Sequence, residues 1–86
     1  MTLFMYYGEE CVHCHTMMPM LERVAKETGK KVKQLEVWHD SANRKKMEKI
    51  NTMKCTGVPF FYNDKTGKSI CGATSYNKLK AWAEGK

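Results

Sequence analysis

Leu3-Phe4-Met5-Tyr6-Tyr7 leads through Gly8-Glu9-Glu10 into Cys11-Val12-His13-Cys14, and a helical pattern opens inside the cysteine pair. A continuous apolar run without alternation suits a central strand buried on both faces. From Val12 to Thr28 the apolar positions Met17, Met18, Leu21, Val24 and Ala25 recur at helical spacing, and Gly29 supplies the C-terminal stop. The two thiols therefore sit where a strand hands over to a helix. Unpaired N–H groups and the helix dipole favour an anion there, and the thiolate is the form that attacks disulfides. The spacing and placement predict redox chemistry.

The rest of the chain organises around this unit. Val32, Leu35 and Val37 predict a second strand ending near Trp38. Asp40 or Ser41 can cap a second helix, whose buried stripe is Met47, Ile50 and Met53. Gly57-Val58-Pro59 breaks that helix, and Phe60-Phe61-Tyr62 forms a third strand. Asn63-Asp64-Lys65-Thr66-Gly67 is turn chemistry, so Ser69-Ile70-Cys71 pairs back as a hairpin partner and Gly72 ends it. Tyr76, Leu79, Trp82 and Ala83 mark a last amphipathic helix. The order is β-α-β-α-β-β-α. A helical crossover makes the first two strands parallel, and the hairpin makes the last two antiparallel. The expected fold class is α/β, a four-stranded mixed sheet with helices on both faces.

With 86 residues, the chain is expected to form a single domain over residues 1–86 with a modest core. Its apolar runs fall far short of the roughly 20 residues that cross a bilayer. No basic region, apolar stretch and cleavage site precede the first strand, so a cytoplasmic monomer with no membrane partner is expected. The net charge of +6 reads as a solvated surface, since no aromatic-and-basic motif for nucleic acid accompanies it. Acidic protein substrates remain a third reading of that charge.

Three motifs together make the sequence resemble the thioredoxin fold family at its minimal, glutaredoxin-sized core. They are Cys11-Val12-His13-Cys14 between first strand and first helix, Pro19 five residues beyond Cys14, and Thr56-Gly57-Val58-Pro59 opening the third strand. The resemblance covers essentially the whole chain. It implies a cis Val58–Pro59 bond beside the cysteine pair and docking of an extended substrate along Thr56, Gly57, Val58 and Pro59. It also implies a thiol–disulfide oxidoreductase that exchanges the Cys11–Cys14 dithiol with protein or low-molecular-weight disulfides. The redox-active disulfide would be its only prosthetic element, and a reductase or glutathione would supply electrons.

Two departures from the family stand out. Met5 occupies the place of a buried acid, which leaves water, Glu9, Glu10 or His13 for proton transfer. Cys71-Gly72-Ala73-Thr74-Ser75 keeps one glycine of the glutaredoxin signature and lacks its acid. Tyr7, Gly72, Thr74 and Ser75 are the candidate contacts for glutathione or substrate.

Cys11 is expected to be the exposed nucleophile and Cys14 the deeper, resolving thiol. His13 beside them is expected to tune the pair toward thiolate and raise its reduction potential. Cys55 and Cys71 read as buried free thiols that behave as small hydrophobes, with a second disulfide or a regulatory thiol as the alternative.

Readings from other classes also fit parts of the string. Cys11-Val12-His13-Cys14-His15 satisfies the haem c attachment pattern, although its expected context is missing. The thiolates with His13 or His15 could hold zinc, or two subunits could share an iron–sulfur cluster through Cys11. A non-catalytic binding module is the remaining alternative, and the retention of both cysteines argues against it.

Overall fold

A computed structural model describes residues 2–51 and 54–86. The elements run β1 (Leu3–Tyr7), α1 (Val12–Thr28), β2 (Val32–Glu36), α2 (Ser41–Ile50), β3 (Phe60–Asn63), β4 (Ser69–Cys71) and α3 (Tyr76–Ala83). They form one mixed sheet of order β2-β1-β3-β4. The β1–β2 pair is parallel with Leu3 opposite Val32, and the β1–β3 pair is antiparallel with Tyr6 opposite Phe60. β3 and β4 form the expected antiparallel hairpin, with Phe60 opposite Cys71.

The apolar run of β1 is explained by its place inside the sheet. Leu3 and Met5 join Phe61 in a core with α1 and α3, through Met17, Leu21, Val24, Leu79, Trp82 and Ala83. On the other face Tyr6 and Phe60 meet Val37, Met47 and Cys55 under α2. Alternate residues of a strand point to opposite faces, so one run feeds both cores. Met47 is buried and Ile50 half-buried, while Met53 of the expected stripe lies outside the described residues.

Local signals fix the helix ends. Gly29 adopts φ 72 at the α1 C-cap, a left-handed conformation that costs glycine little, and its N–H donates to the Ala25 carbonyl. Asp40, rather than Ser41, caps α2 by accepting the Asn43 N–H at 3.1 Å. Ser75 caps α3 by accepting the Lys78 N–H at 3.4 Å. Pro19 lies within α1 on its exposed side, where it cannot donate to the His15 carbonyl one turn earlier. No helix among the described residues is long and apolar enough to cross a membrane.

Two expectations need correction. The second strand stops at Glu36. Val37 still donates to the Tyr7 carbonyl at 2.8 Å, but Trp38 leaves the sheet. Cys55 and Cys71 are not free thiols; they form a disulfide with Cα atoms 5.6 Å apart. The hairpin brings Cys71 beside Phe60, and the chain preceding β3 returns Cys55 to the same edge.

Candidate active site

The β1–α1 junction builds the site. The turn closes on Gly8, whose carbonyl accepts the Cys11 N–H at 3.0 Å. An added Cβ at Gly8 would lie 2.1 Å from the Trp38 ring, so only glycine allows the ring to cover this turn. Cys11 is the N-cap of α1, and its sulfur accepts the Cys14 N–H at 3.3 Å. One of the orphan amides of the first turn therefore points at sulfur, an arrangement that favours the anion.

The two thiols differ in their surroundings. Cys11 is 7% exposed, less open than the sequence suggested, while Cys14 is at 0%. Burial pushes the Cys14 thiol up to about 12, and its hydrogen bond to Cys11 adds to that. Met5, in the position of the missing acid, is fully buried in the same core.

The segment Thr56–Pro59 closes the other side of the site. The Cys11 sulfur lies 3.8 Å from the Val58 carbonyl oxygen, and the Val58–Pro59 peptide bond is cis. Val58 packs against both cores, so this segment spans the sheet edge between them. A groove of about 380 Å³ runs from Thr56, Gly57 and Val58 to Trp38, Arg44 and Met47.

The remaining candidates are placed less centrally. His13 is exposed on the first turn of α1, and no side chain hydrogen-bonds or pairs with it among the described residues. The His15 ring bonds to the Glu9 carbonyl; since a carbonyl only accepts, Nε2 carries the proton. Tyr7 is half-buried against the α1–α3 core. The Gly72 N–H donates to the Pro59 carbonyl at 2.8 Å, which links β4 to the start of β3. Ser75 is occupied as a helix cap, and Thr74 lines a different cavity beside Cys71.

Sequence reasoning missed a second anchor. The Glu36 carboxylate accepts the N–H groups of Glu9 at 3.0 Å, Trp38 at 3.2 Å and His39 at 2.7 Å. It joins the loop before Cys11 to the loop after β2. The His39 ring closes the same bridge on Glu10 at 2.7 Å. Glu10, Glu36 and His39 are also the three-ligand cluster of metal-binding type among the described residues, and it includes neither Cys11 nor Cys14.

Comparison with curated proteins returns no match. The family model described as Thioredoxin matches residues 1–85. With a CxxC pair at the strand-to-helix junction of a four-stranded mixed sheet, the chain belongs to the thioredoxin family of thiol–disulfide oxidoreductases.

Proposed function

We propose that the protein is a dithiol–disulfide oxidoreductase acting through Cys11 and Cys14. The observation that carries this reading is their asymmetry. Cys11 holds the N-cap with the Cys14 N–H on its sulfur, whereas Cys14 is fully enclosed with its thiol pushed up to about 12. A nucleophile needs anion stabilisation and access; a resolving thiol needs to stay protonated until the mixed disulfide forms.

The Cys11 thiolate attacks one sulfur of a substrate disulfide. A Cys11–substrate bond forms, and the other substrate sulfur leaves as a thiolate. Cys14 then loses its proton to water and attacks the Cys11 sulfur. The substrate departs as a dithiol, and Cys11–Cys14 becomes the disulfide. Two electrons pass from protein to substrate. The reverse sequence oxidises a dithiol substrate.

Thr56–Pro59 supports docking of an extended segment of a disulfide-containing protein beside Cys11. A reductase or glutathione returns the electrons, and the protein works as a cytoplasmic monomer. His13 raises the potential of the pair above the roughly −270 mV of thioredoxin, because a cation or hydrogen-bond donor near Cys11 favours its thiolate.

Insulin reduction by dithiothreitol tests this reading. The wild-type chain accelerates precipitation of the insulin B chain, and Cys11→Ser abolishes the acceleration. A wild-type chain no faster than buffer refutes the activity. A potential at or below that of thioredoxin refutes the role of His13.

A further inference from the structure

The disulfide Cys55–Cys71 takes no part in the chemistry above, and its two halves are unequal. Cys55 is 8% exposed beneath α2, whereas Cys71 is exposed on the edge strand β4. Cys71 also lines an open cavity of about 590 Å³ between β4 and α3. Lys68, Lys78 and Lys86 supply its charged walls, and Ile70, Ala73 and Trp82 its apolar ones. No carboxylate side chain lines it among the described residues, although Lys86 reaches Glu84 at 3.7 Å.

We propose that Cys55–Cys71 is a second thiol–disulfide exchange site, opened at Cys71 by a small anionic monothiol of the glutathione type. Access decides which sulfur of a disulfide is attacked, and Cys71 is the exposed half, whereas Cys55, at the wall of the Thr56–Val58 groove, is only 8% exposed. The cavity's lysines raise the local concentration of an anionic thiol over a neutral or cationic one.

The attacking thiolate bonds to the Cys71 sulfur, the Cys55–Cys71 bond breaks, and the electron pair leaves on Cys55, which takes a proton from water. A second thiolate attacks the mixed disulfide and releases the Cys71 thiolate. Two monothiols become one disulfide, and one protein disulfide becomes two thiols.

Opening this bond also frees the chain that leads into Thr56–Pro59. Cys55 precedes that segment directly, and its sulfur lies 3.3 Å from the Gly57 carbonyl oxygen. Without the bond, Asn51 still clamps the Cys55 backbone, accepting its N–H at 2.7 Å and donating to its carbonyl at 2.6 Å. That this segment docks substrate rests on the oxidoreductase reading; the exchange chemistry does not.

The test uses the full chain with Cys11→Ser and Cys14→Ser, so failure of the catalytic reading cannot affect it. The oxidised protein is treated with glutathione, 2-mercaptoethanol or cysteamine, quenched with acid and mapped by peptide mass. The expected adduct is on Cys71 alone. The expected rate per thiolate is about tenfold higher for glutathione than for cysteamine at low salt, with the gap closing at high salt. Lys68→Gln with Lys78→Gln narrows the gap. Lys45→Gln with Lys49→Gln, equal in net charge but on α2, leaves it unchanged. Opening is expected to speed amide exchange across residues 54–58. Adducts on Cys55, equal rates for the three thiols, an equal effect of both lysine pairs, opening only in denaturant, or unchanged exchange at 54–58 would each overturn the proposal.

Discussion

The Cys14 N–H donates to the Cys11 sulfur at 3.3 Å, so the residue that resolves the reaction also solvates the nucleophile. The two duties use different atoms: the amide acts on Cys11 before attack, and the thiol acts after it. Cys14→Ser keeps the first and removes the second. Turnover of disulfide substrates should fall by about 100-fold or more, with a Cys11–substrate mixed disulfide accumulating on non-reducing gels. A serine variant that turns over at the wild-type rate would show that Cys14 does not resolve the intermediate.

The enclosed Cys14 thiol sets the pH dependence. Burial and its hydrogen bond to Cys11 push it up to about 12, so at neutral pH nearly all of it is protonated. In single-turnover experiments, the resolving step should speed up about tenfold per pH unit between pH 7 and 9, while only the deprotonated fraction reacts. The same shift bears on stability. The unfolded thiol ionises near its ordinary value of 9.0, whereas the folded one stays neutral to about 12. The reduced protein therefore keeps this contribution below pH 9 and loses it as pH rises toward 12. Urea denaturation of the reduced chain across this window measures the loss, and Cys14→Ala should flatten it.

Glu36 ties the loop carrying Glu9 and Glu10 to the loop carrying Trp38 and His39. Burial opposes its ionisation, but the N–H groups of His39, Glu9 and Trp38 outweigh it and hold the carboxyl below its ordinary range. This contribution is present above the unfolded carboxylate value and fades as pH falls through the lowered one. His39 behaves in the opposite sense. Its hydrogen bond to Glu10 raises its pKa, so its contribution is present below the unfolded histidine value and fades as pH rises through the raised one. Amide exchange at Glu9, Trp38 and His39 should be slowest between those limits. Glu36→Gln should speed it throughout, and His39→Gln should remove only the alkaline loss.

Asn63 is the one buried polar side chain of the core among the described residues, at 0% exposure. Its amide donates to the Trp82 carbonyl at 3.1 Å, and its oxygen accepts the N–H of Lys65 at 3.0 Å and of Thr66 at 3.4 Å. It therefore shapes the β3–β4 turn and fastens α3 to it. Asn63→Ala strands two turn amides and should cost about 2 kcal/mol. For a chain of this length that is a Tm drop of roughly 8–16 °C. Thermal unfolding by circular dichroism checks it; a shift below about 4 °C would mean that water replaces the side chain.

Much of this architecture was legible because its signals are local. Apolar periodicity gave α1 its span, Gly29 gave its end, and the β1–α1 handover put Cys11 at an N-terminus. Asp40 and Ser41 were equivalent as sequence, and only the extended backbone at Asp40 separates them. The illegible features depend on chain return. Pairing Cys55 with Cys71 needs the irregular stretch before β3, where Lys54 takes φ 54, to bring Cys55 to the β4 edge. The grip of Glu36 on Glu9 spans 27 positions, and no periodicity encodes it. Trp38 read as a strand end because its apolar ring extended the β2 pattern; its partner is the bare face of Gly8.

That partnership gives a last prediction. Gly8 leaves a space that the Trp38 ring fills, while 52% of Trp38 remains exposed. Gly8→Ala places a methyl within 2.1–2.5 Å of three ring atoms, so the indole must swing toward solvent. Overpacking and the lost contact should destabilise the protein by about 1–2 kcal/mol. Trp82, only 3% exposed, gives a steady background against which the Trp38 emission should shift to the red. A double-mutant cycle isolates the cause. In a Trp38→Ala background the clash is absent, so Gly8→Ala should cost less than 0.5 kcal/mol there if the two sites couple only through the ring. An equal cost in both backgrounds would place the constraint in the Gly8 backbone, whose carbonyl holds the Cys11 N–H at 3.0 Å.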